Sequence, residues 1–174
     1  MRGKRLDETF FNRDVLVVAS ELIGKILVRK FPDGELKSFQ ITETEAYNGE
    51  TDLACHASKG RTKRTEVMYH CGGKVYVYLI YGMYWLLNFV TSEENYPAAV
   101  LIRGIEGCSG PGRVGRILQL DRSFYNEDLS DSERLWVEDN GNQPRYNVSK
   151  RIGVDYAGEW ADRLWRFKVV ANES

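Results

Sequence analysis

The strongest constraint on the fold is a hairpin pattern near the middle of the chain. Residues 74–80 and 83–91 are rich in β-branched and aromatic residues, and only Tyr81 and Gly82 separate the two runs. β-favouring segments joined by a short turn that contains glycine are typical of an antiparallel hairpin. The sequence therefore predicts two paired strands with Tyr81 at the tip of the turn.

The first strand of this hairpin has one aromatic face. Tyr76, Tyr78 and Ile80 alternate with aliphatic residues, and alternate residues of a strand share a face. Ordinary packing of β-favouring residues accounts for some of these side chains. Tyr81 differs, because a bulky residue at a hairpin tip has little core to enter. Exposed aromatic or apolar side chains at such positions often act as wedges or anchors, and we expect this of Tyr81.

The rest of the chain consists mainly of short strand-like runs. Two helices are predicted, at 13–23 from apolar residues at helical spacing and at 112–120 after an early proline. Further strands are predicted at 25–31, 36–45, 97–105, 151–154 and 165–170. Segment 46–73 is predicted to be loop-like with some helical content, and the acidic stretch up to residue 142 to lie on the surface. Turns join most of the strands, which predicts an α+β fold in a single domain, 1–174, with a mostly antiparallel sheet.

Composition narrows the function classes. The chain is 43% hydrophobic and 28% charged, as in ordinary globular proteins, and it has no run of 18 apolar residues that would span a membrane. It shows no signal-peptide pattern, so we expect an intracellular protein: cytoplasmic and nucleoid-associated in a bacterium, nuclear in a eukaryote. The three cysteines lack disulfide or metal-ligand spacing. We expect no metal and no organic cofactor.

The charges are distributed unevenly along the chain. The net charge is −1, which by itself counts against a nucleic-acid partner. Between residues 59 and 74, however, five basic residues accompany a single acid, Glu66. Between 121 and 140, seven acids accompany two arginines. A locally basic surface attracts phosphates despite an acidic segment elsewhere, although a solvated loop explains the pattern equally well.

Two glutamates at the end of a predicted strand are candidates for chemistry. Glu43 and Glu45 are two residues apart and share a strand face, with Cα atoms about 6–7 Å apart. Tyr47 follows them on the same alternation. A carboxylate pair at this spacing fits hydrolysis of a glycosidic bond, with one acid and one base. A solvated polar face at a strand end is the alternative interpretation.

Together these motifs resemble those of the alkyladenine (3-methyladenine) DNA glycosylase family. The matching pieces, in chain order, are Glu43-Thr44-Glu45-Ala46-Tyr47, His56, Tyr76-Val77-Tyr78-Leu79-Ile80-Tyr81-Gly82-Met83-Tyr84, Asn88, Val100-Leu101-Ile102-Arg103, Cys108-Ser109-Gly110-Pro111, Arg151-Ile152-Gly153 and Ala157-Gly158-Glu159-Trp160. They cover nearly the whole chain, from the first helix to the last strand. Cys55 departs from the small residue expected before His56, and loop 57–71 matches only loosely.

The resemblance implies a fold and an activity. The fold is a curved, mostly antiparallel sheet flanked by helices, with a protruding hairpin that enters the minor groove of DNA. The activity is that of a monofunctional DNA-repair glycosylase acting as a monomer on double-stranded DNA that contains a damaged purine. It flips the base out, hydrolyses the N-glycosidic bond and leaves an abasic site. 3-Methyladenine, 7-methylguanine, hypoxanthine and ethenoadenine all fit this resemblance as substrates.

The resemblance also assigns roles to individual residues. Glu45 is implied as the general base for the attacking water, with Arg103 helping to hold that water. The residues implied around the flipped base are Tyr47 and His56 on one face, Tyr78 on the other, and Asn88 against the exocyclic amine of guanine. Tyr81 is implied to fill the gap left in the duplex. The residues expected at the DNA backbone are Met83, Tyr84, Arg61, Arg64 and Arg113.

Two other functions remain open from the residues alone. One is a hydrolase of small glycosides or free nucleosides that uses Glu43 and Glu45 as its carboxylate pair. The other is a non-catalytic nucleic-acid-binding module that stacks bases on its tyrosines. The former predicts turnover of small glycosides, and the latter predicts that Glu45→Gln leaves the protein's behaviour unchanged.

Overall fold

Most of the strands and helices are short, and several of them were not predicted from the sequence. The structure, a computed structural model, describes residues 3–171. Its strands are β1 (Lys4–Arg5), β2 (Ile26–Lys30), β3 (Leu36–Asn48), β4 (Val75–Ile80), β5 (Tyr84–Val90), β6 (Ala98–Ile105), β7 (Cys108–Ser109), β8 (Leu135–Asp139), β9 (Tyr146–Ser149) and β10 (Arg166–Val169). The α-helices are α1 (Glu8–Phe11), α2 (Val15–Leu22) and α3 (Pro111–Ile117), and 3₁₀ turns lie at His56–Lys59, Glu66–Tyr69, Arg122–Phe124 and Asp155–Asp162.

One open sheet organises these elements. Its strand order is β1-β8-β2-β3-β6-β5-β4, with β10 also paired to β3 and β9, and β7 paired to β6. All of the pairings between these strands are antiparallel. The long strand β3 pairs with β2 in its first part and with both β6 and β10 in its second part. The predicted α+β fold with an antiparallel sheet is therefore confirmed.

The predicted hairpin is formed by β4 and β5. Ile80 pairs with Tyr84, and the Met83 amide donates a 3.0 Å hydrogen bond to the Ile80 carbonyl. Tyr81 and Gly82 both have positive φ angles, 51° and 66°. Such a turn matches the twist of antiparallel strands, at some cost for a tyrosine. The turn keeps the Tyr81 side chain 86% exposed at the tip.

Helix α2 closes one face of the sheet. Its buried residues Val15, Val18, Ala19 and Leu22 recur at helical spacing, as predicted from the sequence. The Asp14 side chain caps the helix by accepting a 2.8 Å hydrogen bond from the amide of the second helical residue.

Helix α3 packs unusually close to β5. It begins at Pro111 and ends at Ile117, slightly before the predicted range of 112–120. A Cβ atom on Gly115 would lie 1.9 Å from the carbonyl oxygen of Trp85, so only glycine permits this approach. The contact fixes the N-terminal end of α3 beside the hairpin, where Pro111 reaches the cavity described below.

Two predictions about local structure were wrong. Part of the acidic segment is the buried strand β8, in which Leu135, Trp136 and Val137 enter the core. The acids at its end obscured this apolar run. The predicted strand 151–154 is irregular, and β9 lies immediately before it. Arg151 is buried there in an ion pair, and the backbone amide of Ile152 donates to the Glu45 side chain instead of pairing with a strand.

Segment 46–73 is more structured than the predicted loop. Strand β3 continues into it, and two of the 3₁₀ turns follow. A second apolar cluster holds these turns against the sheet; its buried members are Cys55, Ala57, Val67, Met68, Tyr69, Tyr76, Val90 and Ala99. This cluster fixes His56 beside the hairpin. Between residues 3 and 171, no helix has the length and apolar character needed to cross a membrane.

Candidate active site

A cavity of about 310 Å³ opens beside the hairpin. Its volume lies in the range of small-molecule pockets, about 300–1,000 Å³. Six aromatic residues line it: Tyr47, His56, Tyr76, Tyr78, Tyr81 and Tyr156. The remaining lining residues include Asn88 and Arg103 from the sheet and Ile152 from the loop after β9. The cavity is thus enclosed by the tyrosines of the hairpin, by the two turns of segment 46–73 and by the loop after β9.

Glu45 lies directly beneath the wall of this cavity and is fully buried. It does not line the cavity itself; the three residues that bind it do. The Tyr47 hydroxyl donates to Oε1 at 2.8 Å, and the Ile152 amide donates to Oε2 at 2.7 Å. The Arg103 Nη1 atom lies 3.5 Å from Oε1. Side-chain groups therefore bind Oε1, and a backbone amide binds Oε2.

Burial raises the pKa of the Glu45 carboxyl group above its ordinary value. The charge of Arg103, the Ile152 amide, the Tyr47 hydroxyl and the charge of Arg151 act in the opposite direction and lower that pKa. A buried carboxylate with increased proton affinity and fixed orientation is well suited to accept a proton.

Arg103 lies between two carboxylates. Its Nε atom is 3.5 Å from Glu43 Oε2, and its Nη1 is 3.5 Å from Glu45. Glu43 also receives a 2.5 Å hydrogen bond from Arg166 on the neighbouring strand. As predicted, Glu43 and Glu45 lie on one side of β3. The buried Arg103 Nε has no hydrogen-bond partner among residues 3–171, and its 3.5 Å contact with Glu43 is an ion pair only.

His56 is part of the aromatic wall and is held by the first strand of the hairpin. Its Nδ1 atom lies 2.8 Å from the Tyr76 hydroxyl, and its ring centroid is 4.5 Å from that of Tyr78. Burial, followed by the nearby charges of Arg64 and Lys59, lowers the pKa of His56 to about 4. The imidazole is consequently neutral at pH 7.

The separation of His56 and Tyr78 limits how a base can stack. A planar base between two rings needs about 7 Å, twice the van der Waals contact distance. Their 4.5 Å edge-to-face contact is too close for this. These two side chains must move apart if they are to hold the two faces of one base.

The two remaining predicted side chains of the cavity differ in exposure. Asn88 is buried in the wall, and its side-chain amide donates a 3.3 Å hydrogen bond to the Tyr76 carbonyl. Tyr81 stands at the mouth of the cavity and is 86% exposed. Its phenol ring has not folded inward against hydrophobic neighbours, as it would if it served only to pack the hairpin.

The five residues predicted at the DNA backbone lie in different environments. Met83 is exposed beside Tyr81, whereas Tyr84 packs against α3 beneath Arg116. Arg61 is bound to Glu66 through two 2.7 Å hydrogen bonds. Arg64 lies over the Tyr78 ring at 5.0 Å, and Arg113 is exposed on α3. Arg64 thus places a positive charge at the cavity, whereas the charge of Arg61 is largely neutralised.

A buried ion pair behind the cavity was not predicted from the sequence. Arg151 and Asp52 are both completely buried and form a two-pronged ion pair with distances of 2.6 and 3.0 Å. They are 99 residues apart in the chain, and no sequence pattern links Asp52 to Arg151. The backbone contact between Ile152 and Glu45 was likewise missed, since an amide donor has no sequence signature.

The described part of the chain contains no group of three or more histidine, cysteine, aspartate or glutamate side chains arranged to hold a metal ion.

Comparisons with known proteins identify a family and several relatives that are similar to this chain. A family described as methylpurine-DNA glycosylase matches residues 9–108 and 106–173. A relative from Methanocella arvoryzae is 46% identical over 93% of this chain and 90% of its own length. Relatives from Psychrobacter cryohalolentis and Legionella pneumophila strain Lens are 42% and 44% identical over 91% and 97% of this chain, and 89% and 96% of theirs. All three bear the name "Putative 3-methyladenine DNA glycosylase".

Proposed function

This chain belongs to the methylpurine-DNA glycosylase family, and we propose that it is a DNA-repair enzyme that hydrolyses the N-glycosidic bond of damaged purines in duplex DNA. The observation that carries this proposal is the position of Glu45. Its carboxylate lies beneath an aromatic cavity, next to a hairpin that exposes Tyr81. The names of the relatives point to 3-methyladenine as one substrate.

Glu45 acts on the attacking water. The water oxygen bonds to C1′ of the sugar, the C1′–N bond breaks, and its electron pair leaves with the base. The proton of the water goes to Glu45 Oε1, the oxygen bound by the cavity residues Tyr47 and Arg103. Because both of these residues line the cavity, the water approaches Glu45 from the cavity side. General-base catalysis of this kind contributes about 10²–10⁴-fold to a rate.

The cavity accommodates a cationic base. Alkylation of a ring nitrogen gives the purine a positive charge and weakens its bond to the sugar. Aromatic faces attract such a cation by about 0.5–2 kcal/mol per contact. His56 adds no repulsion, since its lowered pKa of about 4 keeps it neutral at pH 7. The wall therefore favours the charged, damaged base over an ordinary purine.

Tyr81 stabilises the flipped state of the nucleotide. Extruding a base from the duplex costs a few kcal/mol, and least for a mispaired or damaged base. The exposed phenol at the hairpin tip stacks in the gap and offsets part of this cost. Asn88, fixed in the wall by its bond to Tyr76, crowds the exocyclic amine of guanine and disfavours that base.

The reaction ends at an abasic site. A strand-cleaving glycosylase uses an amine that forms a Schiff base with the sugar, and no lysine of residues 3–171 lines the cavity. Hydrolysis by water is therefore the chemistry proposed. Glu45 and the groups that bind it all belong to one chain, and we propose that the enzyme acts as a monomer.

Glu43 is poorly suited to act as the acid of a carboxylate pair. Arg166 binds it at 2.5 Å, and Arg103 lies 3.5 Å away. Because both arginines engage Oε2 of Glu43, this carboxyl group is not free to contact a leaving group. These contacts favour the DNA glycosylase over the small-glycoside hydrolase.

A panel of duplex oligonucleotides, each with one modified purine, tests the proposed function. The wild-type protein should convert at least the 3-methyladenine duplex to alkali-labile sites and leave the unmodified duplex intact. Free nucleosides should not be turned over. Hydrolysis of free nucleosides without excision from any duplex would contradict the proposal.

A further inference from the structure

The buried ion pair of Asp52 and Arg151 joins four separate segments of the chain. Besides its two bonds to Asp52, the Arg151 guanidinium donates to the carbonyl of Ala46 on β3 at 3.0 Å and to that of Trp160 at 2.9 Å. The Asp52 carboxylate in turn accepts two 3.0 Å hydrogen bonds from the amides of Asn48 and Ala54.

Arg151 is also enclosed by aromatic rings. Its guanidinium lies 5.0 Å from the ring centroid of Tyr47 and 4.9 Å from that of Trp165. Tyr47 is the cavity residue whose hydroxyl binds Oε1 of Glu45. The arginine therefore supports the Tyr47 ring, which faces the cavity.

The same arginine fixes the second contact of the carboxylate. Ile152 is the next residue in the chain, and its amide donates to Oε2 of Glu45 at 2.7 Å. A peptide plane is rigid, so the position of Arg151 largely determines where that N–H group points. Both oxygens of Glu45 are thus held by groups that depend on Arg151.

We propose that Asp52 and Arg151 are positioning residues, which orient the carboxylate of Glu45 through the Ile152 amide and the Tyr47 ring. The proposal rests on the proposed function of Glu45 as the general base. Stability alone does not account for the pair, because a buried ion pair is often no more stabilising than apolar side chains of similar volume. Its geometry, in contrast, determines the geometry of the reacting carboxylate.

Loss of this positioning has a consequence for protonation. The titratable and charged groups that face Glu45 from its own strand and from the packed elements are Glu43, Tyr47, Arg103, Arg166, Arg151, Asp52 and Tyr78. Of the contacts with Glu45 itself, the Ile152 amide and the charge of Arg151 both lower its pKa. Removing these two contacts raises the pKa of Glu45, so the group becomes protonated at a higher pH as the solution is acidified.

The double variant Asp52→Asn/Arg151→Met tests the proposal. Removing both charges avoids the penalty of one unpaired buried ion, which would make the single Arg151→Met variant prone to unfold. Single-turnover excision with excess enzyme, corrected for folded fraction, is measured from pH 5 to 9. We expect the maximal rate to fall about tenfold or more, since small displacements of a reacting group are costly. The acidic limb of the pH–rate profile is the range in which excision slows as Glu45 becomes protonated. Its midpoint should move up by about one pH unit.

Arg29→Met is the matched control. Arg29 is also a buried arginine between aromatic rings, with hydrogen bonds to backbone carbonyls, but it lies on β2 against Phe31 and Phe124. The Arg29→Met substitution should reduce the stability of the fold without moving the acidic limb of the pH–rate profile. Arg151→Lys retains the positive charge but loses the two-pronged ion pair with Asp52. The acidic limb of its pH–rate profile should therefore lie near that of the wild type, while its maximal excision rate stays low.

A second readout does not require activity. The ¹³C NMR titration of the Glu45 carboxyl, assigned by its absence in Glu45→Gln, should show a higher midpoint in the double variant. Three results would overturn the positioning role: an unchanged midpoint and limb, an equal shift in Arg29→Met, or full recovery of rate in Arg151→Lys. Absence of excision by the wild-type protein would instead refute the proposed function, and the NMR midpoint would still decide the positioning role.

Discussion

Tyr47 contributes two separate groups to the candidate site. Its ring forms part of the cavity wall, and its hydroxyl donates a 2.8 Å hydrogen bond to Glu45. The sequence suggested only the ring, because stacking follows from residue type, whereas the partner of a hydroxyl depends on the folded geometry. The two functions of this side chain can be separated by removing one oxygen atom.

Tyr47→Phe is expected to move the acidic limb of the excision rate upward. The hydroxyl stabilises the charged form of Glu45, so its removal raises the pKa of that group, by about one unit for a hydrogen bond worth about 1.4 kcal/mol. Affinity for damaged DNA should change little because the ring remains. Tyr76→Phe, which removes the hydroxyl bound to His56, should leave the limb in place. Identical pH profiles for Tyr47→Phe and the wild type would refute this role.

His56 is expected to make the folded state sensitive to acid. Its pKa is about 4 in the folded protein against 6.5 ordinarily, so the unfolded chain binds this proton first. Stability is then lost as the pH falls from about 6.5 to about 4. Between pH 7 and 5 this loss amounts to at most about 2 kcal/mol. Urea unfolding at both pH values should show the loss in the wild type, and a smaller one in His56→Gln. Equal losses would contradict the prediction.

At the scale of elements, the hairpin β4–β5 presents Tyr81 away from the molecule. The turn is held by the strand pairing and by its own backbone hydrogen bond, and the phenol ring contributes little to the core at 86% exposure. A side chain with this exposure can be exchanged with little effect on folding. Its contribution to binding and to stability can therefore be measured separately.

Tyr81→Ser is expected to reduce excision about tenfold or more, because stacking of an aromatic ring on a base is worth about 1–3 kcal/mol. The unfolding free energy should change by less than about 0.5 kcal/mol. Tyr146→Ser, at a 41% exposed tyrosine on β9 outside the cavity, is the control and should leave excision unchanged. Excision at the wild-type rate by Tyr81→Ser on a duplex with a damaged base would argue against a role of Tyr81 in filling the gap left by the flipped base.

The contact between α3 and β5 depends on Gly115. We expect Gly115→Ala to destabilise the fold by about 3 kcal/mol, the upper range for overpacking, since the added methyl group meets the Trp85 carbonyl and not a flexible side chain. Thermal unfolding measures the effect, with Ile117→Ala on the exposed side of the same helix as control. A change below about 0.5 kcal/mol would show that α3 can shift freely.

The sequence predicted elements where local rules decide the structure. The hairpin, α2 and most strands follow from periodicity, caps and turn residues, and the residues predicted around the base do meet at one cavity. Strand β8 was missed because its final acids resemble a surface segment. The burial of Glu45 and its contact with Ile152 were missed because they depend on packing between distant segments.

At the scale of the whole molecule, ion pairs redistribute the charge around the cavity. Of the five bases between residues 59 and 74, Lys74 pairs with Asp128 and Arg61 pairs with Glu66. The other three, Lys59, Lys63 and Arg64, have no carboxylate within 4.0 Å among the described residues. Arg64 and Lys59 are close enough to His56 to lower its pKa. A net charge of −1 is thus compatible with a positive potential at the mouth of the site.

Two arginines of one loop should differ in their effect on DNA binding. Arg64→Ala is expected to lower the slope of log affinity against log salt by about one, as for loss of one phosphate contact. Arg61→Ala should change the slope less, because Glu66 already neutralises this side chain. Fluorescence anisotropy on an undamaged duplex at several salt concentrations gives both slopes. Equal slopes for the two variants would contradict this account of the charges.

The most direct test of the central claim is excision and binding by Glu45→Gln on a duplex with one 3-methyladenine or hypoxanthine. The substitution keeps the size of the side chain but removes its capacity to accept a proton. We expect the variant to bind the duplex about as tightly as the wild type, while its single-turnover excision falls by at least about 10²-fold. Excision at the wild-type rate by a correctly folded Glu45→Gln protein would contradict this claim.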